Sequence, residues 1–552
     1  MAALTIRQRA VLVAASLAVG VAFLDETAVV TALRRIQQDL GMSSPTLHWV
    51  MGAYLLALAS LMAVAGRLAD LYGRQRVLII GTVIFGLGSI ACALAPSTVV
   101  LIVARWVQGA GAALMVPLGY AMATLSVPEQ RRGWALGVVS TGATVMLAAG
   151  PVIGGGLTQL FGWRSVFAVN VLPVALILTV AIVTRQPRQS GHPSTDPTAP
   201  ETPTHGAGPP AGGASSLDVP GLVLLVTGLA ASTVALLQVQ VSPPAVTAAA
   251  VVVGVVALGL FVRVERRSAM PLVDLSLLRV PAVASSLTAL LAIQFAILGL
   301  TLYLTLYLQH VVGLGPALAG AVSLPAVLVA PFLATRVGRL ADRRGTQAMV
   351  FGSLLLAAAA IAVIAALAGA RAVIPLLVPL LAFGIARPVA TVAATAGAVG
   401  AIPAHSRGLA TALATQSRQI GAVLGVAVIG LVVTAAEHAE RTKLLQSINT
   451  GFDSTDRAAL DSLLADGNRS DAVLASLPPE QHQAVLNAAS AAYVHGFEIG
   501  MIVNALVVLA AALIAHLIAR RHRHTATNGG RPTDPPSERH GQRDRDEPPP
   551  AH

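Results

Sequence analysis

Charge is what this sequence lacks most. Of its 552 residues, 11% are Asp, Glu, Lys or Arg, where a soluble domain carries about a quarter. Together with 55% hydrophobic residues, that excludes an ordinary water-soluble globular domain. Cysteine is reduced to Cys92, so no internal disulfide can form. Aromatic residues make up 4%, so the interior must be built from Ala, Leu, Val and the 50 glycines. These small residues let membrane helices approach one another closely. No GxxxxGK[ST] loop occurs, which argues against ATP as an energy source. No cluster with metal-ligand spacing and no nucleophile elbow is found, so the chain is not expected to be an enzyme, nor to hold a metal or organic cofactor. The net charge is +11, but the arginines sit in short connections between apolar runs and not on one basic face, so nucleic acid is not an expected partner.

What is there is a succession of apolar runs, each near the ~20 residues that cross about 30 Å of hydrocarbon. They fall at 10–32, 46–65, 77–95, 98–123, 134–158, 163–183, 219–240, 245–262, 284–309, 316–335, 347–369, 372–397, 409–436 and 497–519. The pattern predicts an all-α polytopic membrane protein with 14 transmembrane helices. The first run follows Arg7 and Arg9 as in a signal peptide, but without a clear small-residue cleavage site, and is read as an uncleaved helix. With both termini in the cytoplasm, 25 of the 36 Lys and Arg fall on the cytoplasmic side, as the positive-inside rule requires. Residues 186–217 are dense in Pro, Gly, Ser and Thr and are predicted to be a disordered cytoplasmic linker, as is the tail 522–552. In the extracytoplasmic loop 437–496, LDSLLADG and EQHQAVLNAASAAYV have helical apolar spacing and predict short amphipathic helices capping the outer face.

One pentapeptide, GRLAD, occurs at 66–70 and again at 338–342. The same offset matches Gly73 to Gly345 and Gln75 to Gln347. Both copies follow the second span of a six-helix half once spans 7 and 8 are set aside. The predicted domains are therefore a six-helix bundle at 1–185, two inserted helices with a cytoplasmic loop at 218–283, and a second six-helix bundle at 284–521. A parallel repeat of this kind places a substrate site at the interface of the halves.

GRLADLYGRQRV resembles the loop motif of the major facilitator superfamily, with Gly66, Asp70, Gly73 and Arg74 at the matching positions. The resemblance continues along the chain to its 14-span drug/proton antiporters: LDETAVVTAL (24–33), HWVMGAYLLALAS, RWVQGAGAALMVP (105–117), AAGPVIGGGL (148–157), GWRSVFAVNVLP (162–173), YLTLYLQHVVGLGPALAG (303–320) and LATQSRQIGAVLGVAV (413–428). Departures are Val30 and Arg34 in place of Asn and Pro, Met146 in place of Gly, Gly315-Pro316 in place of Ser-Pro, and Thr346 in the second copy where the first has Arg74. The resemblance implies two six-helix bundles plus two inserted helices, alternating access, and a latch formed by Gly66, Asp70, Gly73, Arg74 and Asp342. It also implies an exporter-specific bend at Gly150, Pro151, Gly154 and Gly155. Those residues alone indicate a proline-kinked, closely packed helix.

Ionisable residues inside a bilayer are expensive and point to function. Asp25 and Glu26 fall in span 1, Arg105 in span 4, Arg387 in span 12 and Arg418 in span 13. At 1.5 Å per residue, Asp25 lies roughly 22 Å and Arg105 roughly 20 Å above the cytoplasmic side, so the two share a layer. On a carboxyl in a dry site beside a guanidinium, burial and the cation act in opposite senses. Such a site can load and lose a proton as cavity water changes. Asp25, Glu26 and Arg105 are therefore the candidate proton-coupling residues, with Asp25 at the acid position of the resembled motif. A structural Asp–Arg pair without a protonation cycle fits the residues as well. Tyr54, Gln294, Tyr303, Tyr307 and Arg418 are candidate cavity residues, although Tyr also belongs at membrane interfaces.

The reading that follows is a monomeric, multi-pass plasma-membrane exporter. It takes up no cofactor but the proton gradient, and its partners are small-molecule substrates, protons and lipid. The cargo expected is bulky, apolar or cationic toxic compounds. Export of one self-made metabolite, and a non-transporting sensor on the same fold, are the alternatives.

Overall fold

The computed structural model describes residues 4–128, 131–184, 218–238, 243–268, 275–329, 333, 337, 340, 345–402, 407–448 and 479–528. Every regular element among them is helical. The first bundle comprises α1 (Ile6–Leu40), α2 (Ser44–Tyr72), α3 (Arg74–Ala93), α4 (Thr98–Leu125), α5 (Arg132–Phe161), α6 (Arg164–Ala168) and α7 (Val171–Val183). Two further helices follow, α8 (Val219–Gln238) and α9 (Pro244–Glu265). The second bundle holds α10 (Pro281–His310), α11 (Pro316–Val322), α12 (Pro325–Leu328), α13 (Thr346–Leu367), α14 (Ile374–Gly400), α15 (Arg407–Ile448) and α16 (Pro479–Asn528). Among the described residues, eleven helices are long and apolar enough to cross a membrane, and the shorter stretches Thr46–Met62 and Pro220–Ala235 are apolar as well.

Local chemistry sets the helix ends. Thr5 and Gln8 form a reciprocal capping box at the start of α1, and Gly41 closes it in the left-handed region at φ 62°, as helix termini favour. The sixth apolar run is not one helix. Pro173 lacks the N–H that would bond Val169, and the run breaks into α6 and α7 around Asn170. Pro325 similarly opens a new short helix after α11.

The two bundles repeat one packing scheme. α1 lies on α5 as α10 lies on α15; α3 lies on α4 as α13 lies on α14; α2 lies on α4 as α12 lies on α14. The close approaches also correspond. Gly109 of α4 faces Tyr54 and Ala57 of α2, and Gly384 of α14 faces Pro325 and Ala326 of α12. α8 and α9 form a hairpin whose α8 rests on α2 and α15. Between the bundles, α1 meets α10, α2 meets α15, and α5 meets α11. In the most apolar stretch of α1 and of α10, 83% of residues are buried, against 17% in α9. The interface helices are thus enclosed by protein, and α9 is left to the surroundings.

Three expectations change. The first GRLAD is not a loop: residues 66–70 form the last turns of α2, and the connection to α3 is the single residue Gly73 at φ 91°. Gly345, 272 positions later, precedes α13 at φ 80°, so the repeat is one of backbone conformation as well as of letters. In the second copy, Asp342 lies outside the described residues. The stretch 480–494 is no separate capping helix. It is the first part of α16, with no proline between it and the span; LDSLLADG and the linker 186–217 lie outside the described residues. Likewise, residues 522–528 continue α16, because no helix breaker precedes Gly529.

Candidate functional site

Asp25 and Glu26 are adjacent in the middle of α1, and both are buried. Successive helix residues point about 100° apart, and the two acids have opposite surroundings. Asp25 turns into its own bundle. Its Oδ2 accepts from Arg105 Nη1 at 2.5 Å. Its Oδ1 accepts from Gln108 Nε2 at 2.9 Å and from Asn170 Nδ2 at 2.7 Å. Arg105 is 0% exposed. Its Nε donates to the Val50 carbonyl at 2.9 Å and its Nη1 also donates to Gln108 Oε1 at 2.7 Å. The guanidinium carbon lies 4.3 Å from the Tyr54 ring centroid and 5.6 Å from that of Phe167, where a desolvated cation–π contact adds about 2 kcal/mol. Ser89 of α3 accepts from Gln108 at 2.8 Å. The carboxylate is thus held by α4 and the α6–α7 junction, and α2, α3 and α6 in turn surround its Arg105 and Gln108 partners.

Glu26 is 0% exposed, and neither of its carboxyl oxygens has a hydrogen-bond partner. The cation facing it from the second bundle is Arg418 of α15, within Coulombic range but not ion-paired with it. The Arg418 guanidinium carbon lies 5.8 Å from the Phe23 ring centroid, one turn before Glu26. The sequence places Asp25 and Arg105 in one layer, with Glu26 as the neighbouring acid; the structure joins Asp25 to Arg105 and leaves Glu26 within reach of Arg418.

Of the candidate cavity residues, Tyr54 is covered by Arg105, and its hydroxyl donates to Ala22 O at 3.0 Å. Tyr303 donates to Val426 O at 3.3 Å and packs 5.5 Å from His48. Tyr307 donates to Ala368 O at 2.6 Å and stacks on Phe497 at 4.7 Å, within the second bundle. Gln294 is buried in α10.

The glycines of α5 serve two neighbours. A Cβ on Gly150 would come 2.9 Å from Thr27 Cβ, and one on Gly154 would come 2.6 Å from Ala28 Cα, both on α1. Thr27 Oγ1 reaches across to Leu147 O at 3.0 Å. Gly155 faces the other way, where a Cβ would lie 2.8 Å from Ala317 Cα of α11, and Gly320 approaches Pro151 from the same helix. At Met146 the expected small residue has changed sides: Gly20 of α1 makes room, with Met146 Cγ 2.9 Å from where its Cβ would be.

The bundles are tied at the end carrying the α1–α2 turn. Gln309 Nε2 donates to Thr31 O at 3.1 Å, and Arg34 donates back to Gln309 O. Deeper in, Gln416 donates to Ala59 O. At the opposite end, Gly66 and Gly73 are exposed, with no atom within 4 Å of a Cβ added to either, and Arg74 is exposed. Asp70 lies in the last turn of α2; its side chain is outside what the structure describes.

Gln108, Ser89 and Asn170 were not singled out from the sequence. Gln108 stands three residues after Arg105 in the quoted RWVQGAG, on the same helix face, and Asn170 precedes Pro173 in VNVLP. A buried amide beside a buried ion pair was the available signal.

With this geometry in hand, the comparisons are consistent with one another. The Major Facilitator Superfamily description matches residues 15–426. The chain is 31% identical over 428 residues to the multidrug resistance protein Stp of Mycobacterium tuberculosis (strain CDC 1551 / Oshkosh), covering 77% of this chain and 75% of that one. It is 33% identical over 423 residues to the methylenomycin A resistance protein of Streptomyces coelicolor (strain ATCC BAA-471 / A3(2) / M145), covering 75% and 83%. Among solved structures, a bacterial homologue of the human lysosomal transporter Spinster, in an inward-facing and unoccupied conformation, superposes with TM-score 0.62 at 17% identity, over 94% of this chain and 98% of that one.

Proposed function

Since the chain belongs to the Major Facilitator Superfamily, we propose that it is a 14-span exporter that moves toxic small molecules out of the cell in exchange for protons. The eleven long apolar helices and the two shorter ones support this reading, and the apolar run from 316 in the sequence is taken as the fourteenth crossing. The positive-inside bias orients both termini to the cytoplasm. In that orientation the Arg34–Gln309–Thr31 ties lie at the outer end, and Gly66 and Gly73 at the inner.

The observation that carries the reading is a pair of adjacent buried carboxyls on α1, one ion-paired within its own bundle and one without a hydrogen-bond partner. A chain that only scaffolds has no use for such a cost. Asp25, Glu26 and Arg105 form the proton-coupling group. Gly66, Asp70, Gly73, Arg74 and Asp342 latch the inner face, and α5 is the surface on which the bundles move. One charge crossing 100 mV releases about 2.3 kcal/mol, so a proton or two sustains gradients of tens-fold and more. The names of the relatives, one for multidrug and one for single-antibiotic resistance, support drug export. The second also keeps a dedicated antibiotic exporter as the alternative reading.

The test is drug-susceptibility profiling in an efflux-deficient host, with and without an uncoupler, for wild type and Asp25→Asn. Uncoupler-sensitive resistance that disappears in an Asp25→Asn protein still inserted in the membrane is the expected result. Resistance unchanged by the substitution removes Asp25 from the coupling step. Resistance to many unrelated compounds, as against one, decides between the two exporter readings.

A further inference from the structure

Two guanidiniums of the second bundle lack acids to match, and one of them, Arg418, reaches Phe23 of the first bundle. Arg387, in the middle of α14, is 5% exposed, and its Nε and Nη2 have no hydrogen-bond partner. Arg418 Nε is likewise without one. Arg418 lies within Coulombic reach of Arg387. Among the described residues neither forms an ion pair, whereas Arg105 has Asp25 and Arg441 has Glu437. Two amide atoms on the same helix as Arg418, Gln416 Oε1 and Gln419 Nε2, are also buried and unpartnered.

Burying one unpaired ion costs several kcal/mol, and a partly buried like charge such as Arg418 within its reach adds to that cost. Glu26 supplies one negative charge opposite Arg418. One positive charge remains. A guanidinium is built to bind a planar carboxylate through two parallel N–H donors, and Arg387 keeps two such donors open. The Phe23 ring beside Arg418 provides an apolar wall. We infer that Arg387 and Arg418 form an anion-binding subsite at the bundle interface, and that the preferred cargo is an apolar molecule bearing a single carboxylate. This rests on the exporter reading for its meaning as a cargo site, and it departs from the apolar or cationic cargo that the sequence suggested.

The test uses full-length protein in phosphatidylcholine nanodiscs and two probes that share an aromatic body, 1-naphthaleneacetate and (1-naphthylmethyl)trimethylammonium. Calorimetry at neutral pH is expected to show the acid binding at least about tenfold more tightly, the scale of one charged hydrogen bond. Arg387→Gln and Arg418→Gln should each weaken the acid by about that factor and leave the cation unaffected or tighter. Equal affinity for the two probes in wild type, or unchanged acid binding in both Gln variants, overturns the inference. Should the Gln variants not fold, Arg387→Lys and Arg418→Lys carry the test. They keep the charge but not the two-donor fork, so each should weaken the acid and leave the cation unaffected, and unchanged acid binding in both overturns the inference. Phosphatidylglycerol that competes with the acid in wild type but not in Arg387→Gln supports the anion site and assigns it to a lipid phosphate. Proton-driven ethidium efflux from proteoliposomes separates the two readings. Efflux without acid preference keeps the exporter and refutes the subsite. Acid preference without proton-driven efflux of ethidium or of either probe keeps the subsite and refutes the exporter.

Discussion

Replacing Asp25 by Asn removes the counter-charge of a guanidinium that is fully buried. Arg105 would keep Gln108 Oε1 and Val50 O as acceptors, both neutral. Breaking a buried pair from one side costs about 3–5 kcal/mol, because the remaining ion stays in low dielectric. Removing both charges costs far less, since the desolvation of the cation disappears with it. The neutral contacts around the pair are small by comparison, because interhelical hydrogen bonds in membranes average about 0.6 kcal/mol. Asp25→Asn and Arg105→Gln alone should therefore each lower the melting temperature in detergent strongly, and the double variant should recover most of the loss. Asn170→Ala should lower it only slightly. The double variant separates structure from coupling: it is expected to be stable and inactive in proton-linked efflux. Single variants as stable as wild type, or a double variant whose loss is the sum of the singles, would refute the buried-pair reasoning. A stable double variant with full proton-linked efflux would make the pair structural only.

The helix contacts make further predictions. Gly155→Val drives a side chain into α11 and should separate the bundles at the α1–α2 end. Overpacking costs about 1–3 kcal/mol, so disulfide cross-linking between Thr31→Cys and Gln309→Cys should fall about fivefold or more; unchanged cross-linking rejects the contact. Gly20→Leu should destabilise by a similar ~1–3 kcal/mol, and Met146→Gly in the same protein should restore the melting temperature; no rescue would mean that the two positions do not share one space. Asp70→Asn should reduce resistance more than Asp342→Asn, since Arg74 accompanies only the first copy where the second has Thr346. Equal losses count against an asymmetric latch.

The span pattern was legible because ~20 apolar residues have few other fates, and both GRLAD copies located the repeat. The helical state of Gly66–Asp70 was not, because charged residues near glycine read as a loop when nothing reveals that α2 runs past the apolar core to Tyr72. The depth estimate put Asp25 and Arg105 in one layer because rise per residue is nearly constant along a helix. Which of the two acids meets Arg105 could not follow from depth. It depends on the rotation of α1 about its axis, set by Gly150 and Gly154 against Thr27 and Ala28. Asn170 escaped notice because its role comes from the break at Pro173, which a hydropathy window averages away.

All the partners of Asp25 belong to the first bundle: Arg105 and Gln108 on α4, and Asn170 between α6 and α7. If the bundles rock as rigid bodies, that cluster travels as one piece, and its internal distances are invariants of the cycle. Glu26 and Arg418 sit on opposite bodies, so their separation is a coordinate of the motion itself. The field at one carboxyl then stays constant while that at its neighbour is rewritten with every swing. Two adjacent residues on one helix thus divide the labour, one as a fixed reference and the other as the reporter of which way the protein faces.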